Sequence, residues 1–410
     1  MKKAIVFAGG GSKGAYQIGV WKALEELGEH FDIACGTSIG AINAFFYVQK
    51  DLEAAREMWS TITIDAVMAN GLNLEKSVGG MLAQRDQLRH FIKDYINCKG
   101  ADVTPLHESI QNSYMPGKFA SSEIDFALMM TEFPSMNPVT VTKGDMLAAG
   151  ENGWKYIAAS AAAWPVFPWM SVDSKNYVDG GYYDNVPVAA AVRAGAQKVL
   201  IVYLKPDDAH GSYEGHPFVE CIRPTRDLGT FLNFDRQVID RSLCLGYTDA
   251  MKHFGKYHGR MFTVKNGGEE IKAFAEKFIG ILTLDEACFV SHDKYHFQMG
   301  SRDEGCIPLL AESSFEGRRD TVSLFVSALE AYLTMLGFDD EKELDFPSLI
   351  AALRASVSCA NVKDDFSGEK AFENITSYIT EECDPEKADK KLLSSDRHLL
   401  IACAMAKALF

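Results

Sequence analysis

A chain of 410 residues is long enough for two or three ordinary domains, or for one large α/β domain with an appendage. With 47% hydrophobic and 24% charged residues, and 13 prolines against 33 glycines, the composition is globular, which excludes disordered, collagen-like and coiled-coil classes. Its 41 Lys and Arg against 56 Asp and Glu leave a formal charge of -15, the wrong sign for coating nucleic acid or an anionic membrane. Any lipid contact is therefore expected to be local and apolar, and no nucleic-acid partner is expected.

Nine cysteines, scattered from Cys35 to Cys403 without a CxxC pair, read as reduced thiols rather than a disulfide framework or a metal site. Met1-Lys2-Lys3 is basic, but the apolar run that follows stops at Gly9, too soon for a secretory leader. The apolar stretch from Ile157 to Met170 is broken by Pro165 and Pro168 and falls short of a membrane span. Together these features lead us to expect a cytoplasmic protein without an anchor.

Along the chain, Lys3 to Ala8 reads as a strand, followed by a glycine turn and a helix from Ala15 to Leu27 that Gly28 closes. The pattern then repeats, with a strand from Phe31 to Cys35, a second glycine turn, and a buried helix from Ser38 to Gln49. Helices are predicted at Leu52 to Thr61, Asp86 to Ile96 and Asp235 to Phe254, and strands at Ile124 to Thr131, Val139 to Thr142, Asn176 to Val178, Lys198 to Leu204 and Arg260 to Val264. Alternating strands and helices imply an α/β fold of three layers. A mostly parallel central sheet is covered by helices, with a site at the carboxyl ends of its strands. Beyond Asn266-Gly267-Gly268 the pattern turns acidic and helical, with stripes over Asp320 to Leu336 and Leu399 to Phe410. We therefore expect one domain over residues 1–265 and a mainly helical region over 266–410.

The first glycine turn, Gly9-x-Gly11-x-x-Gly14, supports several readings: a tight strand-to-helix connection, a dinucleotide fingerprint with Asp32 downstream, or a set of backbone amides aimed at an anion. Asp32 sits before the second apolar run, whereas a ribose-binding acid should follow that strand, which weakens the nucleotide reading. The second turn, Gly36-Thr37-Ser38-Ile39-Gly40, is a G-x-S-x-G elbow in strand-to-helix context. A serine on so sharp a turn projects its Oγ above the sheet, and side chains two positions either side would clash with neighbouring backbone.

A serine hydroxyl needs a base. None of the ten histidines lies in a glycine-rich or strand-end setting, and His292 with His296 lack the glutamate and third ligand of a zinc motif, so no metal is expected. The stronger partner is Asp179, carried from a strand into a turn by Val178-Asp179-Gly180-Gly181. Trp164, Phe167 and Trp169 suit core packing, with an acyl-chain channel or a lipid interface as alternatives. The stretch 62–85, with Met68, Gly71, Gly79, Gly80 and Met81, is a candidate cover over the site.

Four blocks carry a resemblance. They are Gly9-Gly10-Gly11-Ser12-Lys13-Gly14-Ala15-Tyr16; Gly36-Thr37-Ser38-Ile39-Gly40-Ala41-Ile42-Asn43-Ala44; Ala158-Ala159-Ser160-Ala161 with Pro165, Phe167 and Pro168; and Val178-Asp179-Gly180-Gly181 with Asp184-Asn185-Val186-Pro187. In order and spacing the sequence resembles the patatin-like phospholipases, lipid acyl hydrolases with a serine–aspartate dyad, over roughly residues 1–265. That resemblance implies Ser38 as nucleophile, Asp179 as base, and Gly9, Gly10 and Gly11 as the oxyanion hole, with Lys13, Gly14, Gly36, Gly40, Gly180 and Gly181 supporting the motifs. It implies no cofactor, a phospholipid or related acyl-ester substrate, and room for transient contact with a membrane surface. Acyl transfer through the same acyl-serine is an alternative activity; a catalytically idle lipid- or protein-binding module is another.

Overall fold

The computed structural model describes residues 1–69, 101–209, 211–292, 306–358 and 397–409. The chain divides into two compact units, Met1–Met251 and Lys252–Phe410.

The first unit is built on strands β1 (Lys3–Phe7), β2 (Ile33–Thr37), β3 (Asp125–Phe133), β4 (Pro138–Thr142), β5 (Met170–Val172), β6 (Lys175–Asp179), β7 (Lys198–Val202) and β8 (Val219–Ile222). They form one sheet in the order β5-β6-β3-β2-β1-β7-β8, with β4 also paired to β3. The β3-β2-β1-β7-β8 run is parallel, whereas β4 and β6 pair antiparallel with β3 and β5 pairs antiparallel with β6. Central strands β1 and β2 are buried along nearly their whole length, the signature of a sheet covered on both faces.

Helices α1 (Ala15–Leu27), α2 (Ile39–Val48), α3 (Leu52–Thr61), α4 (Ile64–Val67), α5 (Thr104–Ser113), α6 (Pro116–Ser121), α7 (Lys143–Ala148), α8 (Trp154–Ser160), α9 (Val188–Arg193) and α10 (Arg236–His253) flank that sheet. The expected α/β architecture is therefore present. Helices α1 and α10 cross at backbone contact: a Cβ on Gly19 would lie 2.0 Å from the Leu243 carbonyl oxygen, and one on Gly246 would lie 1.9 Å from that of Tyr16. Only glycine at both positions permits this approach.

Parallel strands place the ends of β1 and β2 at one edge, so the two glycine turns emerge side by side. Asp32 lies at the opposite end, where its carboxylate accepts the Lys3 amide at 2.8 Å. Five residues of strand, about 16 Å, separate it from the Gly9 turn, too far to serve a nucleotide bound there.

The second unit contains a two-stranded parallel ribbon, β9 (Thr263–Lys265) with β10 (Glu343–Asp345). The strand expected at Arg260 to Val264 thus pairs with this ribbon and not with the large sheet. Around it stand α11 (Gly268–His292), α12 (Cys306–Ser313), α13 (Thr321–Met335), α14 (Phe346–Ser358) and α15 (Arg397–Leu409), so the C-terminal region is mainly helical. Phe278, Phe325, Leu329, Phe346 and Met405 form the centre of its own apolar core.

Candidate active site

Strand β2 delivers Ser38 onto the first cap of α2 with φ 57 and ψ -126, a left-handed conformation that costs a non-glycine residue free energy. The flanking glycines allow the turn to close. A Cβ on Gly36 would meet Gly40 backbone atoms at 2.2 Å, and one on Gly40 would meet the Phe7 carbonyl oxygen at the same distance. Thr37 Oγ1 donates to the Asp184 carbonyl at 2.9 Å, tying the elbow to the chain just beyond Asp179.

Asp179 ends β6 and is buried, with 8% of its surface exposed. Its carboxylate accepts the Gly181 amide at 2.7 Å. Burial pushes its pKa up to about 6, because a desolvated carboxylate resists ionisation; the nearby Ser38 side chain and the Gly181 amide oppose that rise. Gly180 is required by a close approach, since a Cβ there would meet the Met129 carbonyl oxygen at 2.2 Å.

In the first glycine turn, Gly9 donates its amide to the Asn185 carbonyl at 3.1 Å, and Asn185 Nδ2 donates back to the Gly9 carbonyl at 3.2 Å. Among the described residues the Gly10 and Gly11 amides have no such acceptor. Gly11 has φ +61, and a Cβ on it would lie 2.1 Å from the Phe231 carbonyl oxygen. Behind the turn, Gln17 Nε2 donates to the Ala8 carbonyl at 2.7 Å. Asn43 Nδ2 donates to the Gly14 carbonyl and to Gln17 Oε1, and Trp59 Nε1 donates to Asn43 Oδ1. This buried amide network, absent from our sequence reading, locks the loop's shape. Gly14 has side-chain neighbours, a Cβ there meeting Ile39 at 2.4 Å.

Gly9, Gly10, Gly11, Lys13, Ser38 and Asp179 all line one cavity of about 520 Å³, within the range of ligand pockets. The rest of its lining is largely aliphatic and aromatic, including Ile42, Val67, Leu106, Val166, Phe167 and Phe234. No histidine lines it among the described residues. Lys13 is buried at its edge, and its ammonium has no ion pair among the described residues. Of the three aromatic residues singled out from the sequence, Phe167 reaches the cavity, whereas Trp164 and Trp169 pack against Phe133, with ring centroids 5.3 and 5.5 Å away.

Residues 62–69 are the described part of the expected cover, and Met68 among them is buried in an apolar cluster with Ile64, Val67, Val103 and Phe167. Gly71, Gly79, Gly80 and Met81 lie outside the described residues, as do His296 and the helix expected at Asp86 to Ile96. No group of three or more His, Cys, Asp or Glu side chains that could hold a metal occurs among the described residues. No described helix is long and apolar enough to cross a membrane.

Residues 5–192, which contain both glycine turns, Ser38 and Asp179, match the family model of the patatin-like phospholipases. These residues form a patatin-like phospholipase domain. Over 200 residues the chain is 30% identical to lysophospholipase NTE1 of Coccidioides immitis (strain RS), covering 48% of this chain and 11% of that one. Patatin-like phospholipase domain-containing protein 7 of Mus musculus is 25% identical over 205 residues, covering 48% of this chain and 13% of that one. The chain thus matches only about a tenth of the length of these curated relatives. Among solved structures, that of VipD from Legionella pneumophila aligns with 100% of this chain and 90% of its own at 12% identity and a TM-score of 0.41.

Proposed function

We propose that the patatin-like domain is a serine acyl hydrolase of phospholipase A or lysophospholipase type, cleaving carboxylic esters of phospholipids or related acyl lipids. The observation that carries this reading is that Ser38, on its strained elbow, and the buried Asp179 carboxylate line one largely apolar cavity, with the Ser38 side chain near enough to favour the ionised carboxylate. In this account Asp179 takes the Oγ proton as Ser38 attacks the ester carbonyl. The oxyanion that forms is held by the Gly10 and Gly11 amides, while Gly9, its own amide engaged by Asn185, fixes the loop's approach. Collapse expels the alcohol, which leaves with the proton from Asp179, and the acyl group stays on Ser38. Asp179 then takes a proton from water; the hydroxide releases the fatty acid and the proton returns to Ser38.

A carboxylate serves as base here because burial raises its proton affinity while leaving it mostly ionised at neutral pH. The aliphatic wall from Ile42 to Phe234 suits an acyl chain, and the Lys13 ammonium suits an anionic head group. Reaction with a fluorophosphonate probe, followed by mass spectrometry of the labelled peptide, tests the reading. Label is expected on Ser38 and is expected to vanish in Ser38→Ala; label elsewhere with Ser38 unmodified would overturn it.

A further inference from the structure

The strained serine is held from a direction that neither the dyad nor the glycine turns account for. Ser160, at the end of α8, is fully buried, and its Oγ accepts the Ser38 amide at 2.9 Å. A hydroxyl has one proton to give, and Ser160 donates it to the Met129 carbonyl at 2.7 Å, which turns an oxygen lone pair toward Ser38. Two residues on, the Ala162 carbonyl accepts the Asp179 amide at 2.8 Å. The short stretch 160–162 therefore grips the backbone of both Ser38 and Asp179. The strand it leans on is the one that pairs with β6, since Met130 is the register partner of Asp179.

We propose that Ser160 is a positioning residue for the reaction. Its hydroxyl holds the Ser38 backbone at positive φ and, with the Ala162 carbonyl, sets the spacing between the Ser38 hydroxyl and the Asp179 carboxylate. Ser160 does not line the cavity and touches no substrate; it acts through the Ser38 amide. Removing the hydroxyl leaves that amide and the Met129 carbonyl without their partner, and the elbow relaxes away from Asp179. A misplacement of about 1 Å costs on the order of a hundredfold in rate while leaving the binding cavity in place. This inference rests on the assignment of Ser38 as nucleophile.

The test measures kcat and KM for p-nitrophenyl butyrate, together with the rate of fluorophosphonate labelling at the Ser38 peptide, in Ser160→Ala, Ser160→Cys and Ser160→Thr. Ser242→Ala, a buried helix hydroxyl that donates to the Val238 carbonyl, controls for general destabilisation. The expected order of kcat is Thr above Cys above Ala, following the strength of the acceptor at position 160. Ala should fall about 10- to 100-fold below wild type at a KM within about twofold, and the labelling rate should fall in parallel. Should one variant fail to fold, the order of the other two carries the same prediction. Ser160→Ala reacting as fast as Ser242→Ala, or Thr no faster than Ala, with wild type labelled at Ser38, would overturn the inference alone. Wild type that takes no label at Ser38 would overturn the nucleophile assignment and this inference with it.

Discussion

Replacing Asp179 by Asn should stabilise the first unit at neutral pH while removing its activity. The carboxyl pKa rises from the ordinary 3.8 to about 6, chiefly through burial. A group whose folded pKa lies above its unfolded value contributes stability that is full below the unfolded pKa and lost as pH rises through the folded one. At 1.36 kcal/mol per pKa unit, the wild type loses about 3 kcal/mol from this residue between about pH 4 and pH 7. Asn ionises nowhere in that window, and its side-chain oxygen can still accept the Gly181 amide that Asp179 accepts. Subtracting wild type from Asp179→Asn cancels every other titrating group, so the stability difference should grow by about 3 kcal/mol across the window, or about 6 to 12 °C in Tm for a unit of this size. Thermal unfolding at closely spaced pH values measures it. A difference that stays constant from pH 4 to pH 8, or that shrinks as pH rises, would refute the claim that Asp179 is a desolvated carboxylate.

The same raised pKa shapes catalysis. As the base must be ionised, kcat/KM on a soluble ester should climb through about pH 6 to a plateau, and a profile already flat at pH 5 would contradict the assignment. Gly40→Ala, which sets a methyl carbon 2.2 Å from the Phe7 carbonyl oxygen, should yield little soluble protein or none that reacts with a fluorophosphonate; a normally folded, active variant would show that the elbow tolerates what its geometry forbids.

The glycine turns were legible because a close backbone approach leaves a local mark: only glycine fits, and the mark sits beside the serine it serves. Helix α3 and the paired strands β3 and β4 were legible from apolar periodicity. Strands β5 and β8 were missed, since three residues (Met170–Val172) and four (Val219–Ile222) are too few to show alternation. The Ser160 contact was invisible for a different reason. It joins a hydroxyl to an amide 122 positions away, and a buried serine in an alanine-rich helix looks like any small residue. The Gln17–Asn43–Trp59 network is hidden in the same way, as polar residues inside apolar helices whose partners lie on other elements. Gly19 and Gly246 did carry a readable signal: a glycine within a helical pattern lowers helix propensity and so points to close contact with another element.

The most direct test of the central claim compares ester hydrolysis by wild type, Ser38→Ala and Asp179→Asn, each shown by circular dichroism to be folded. The account predicts turnover for wild type and its loss in both variants. Turnover at the wild-type rate in either folded variant would contradict it.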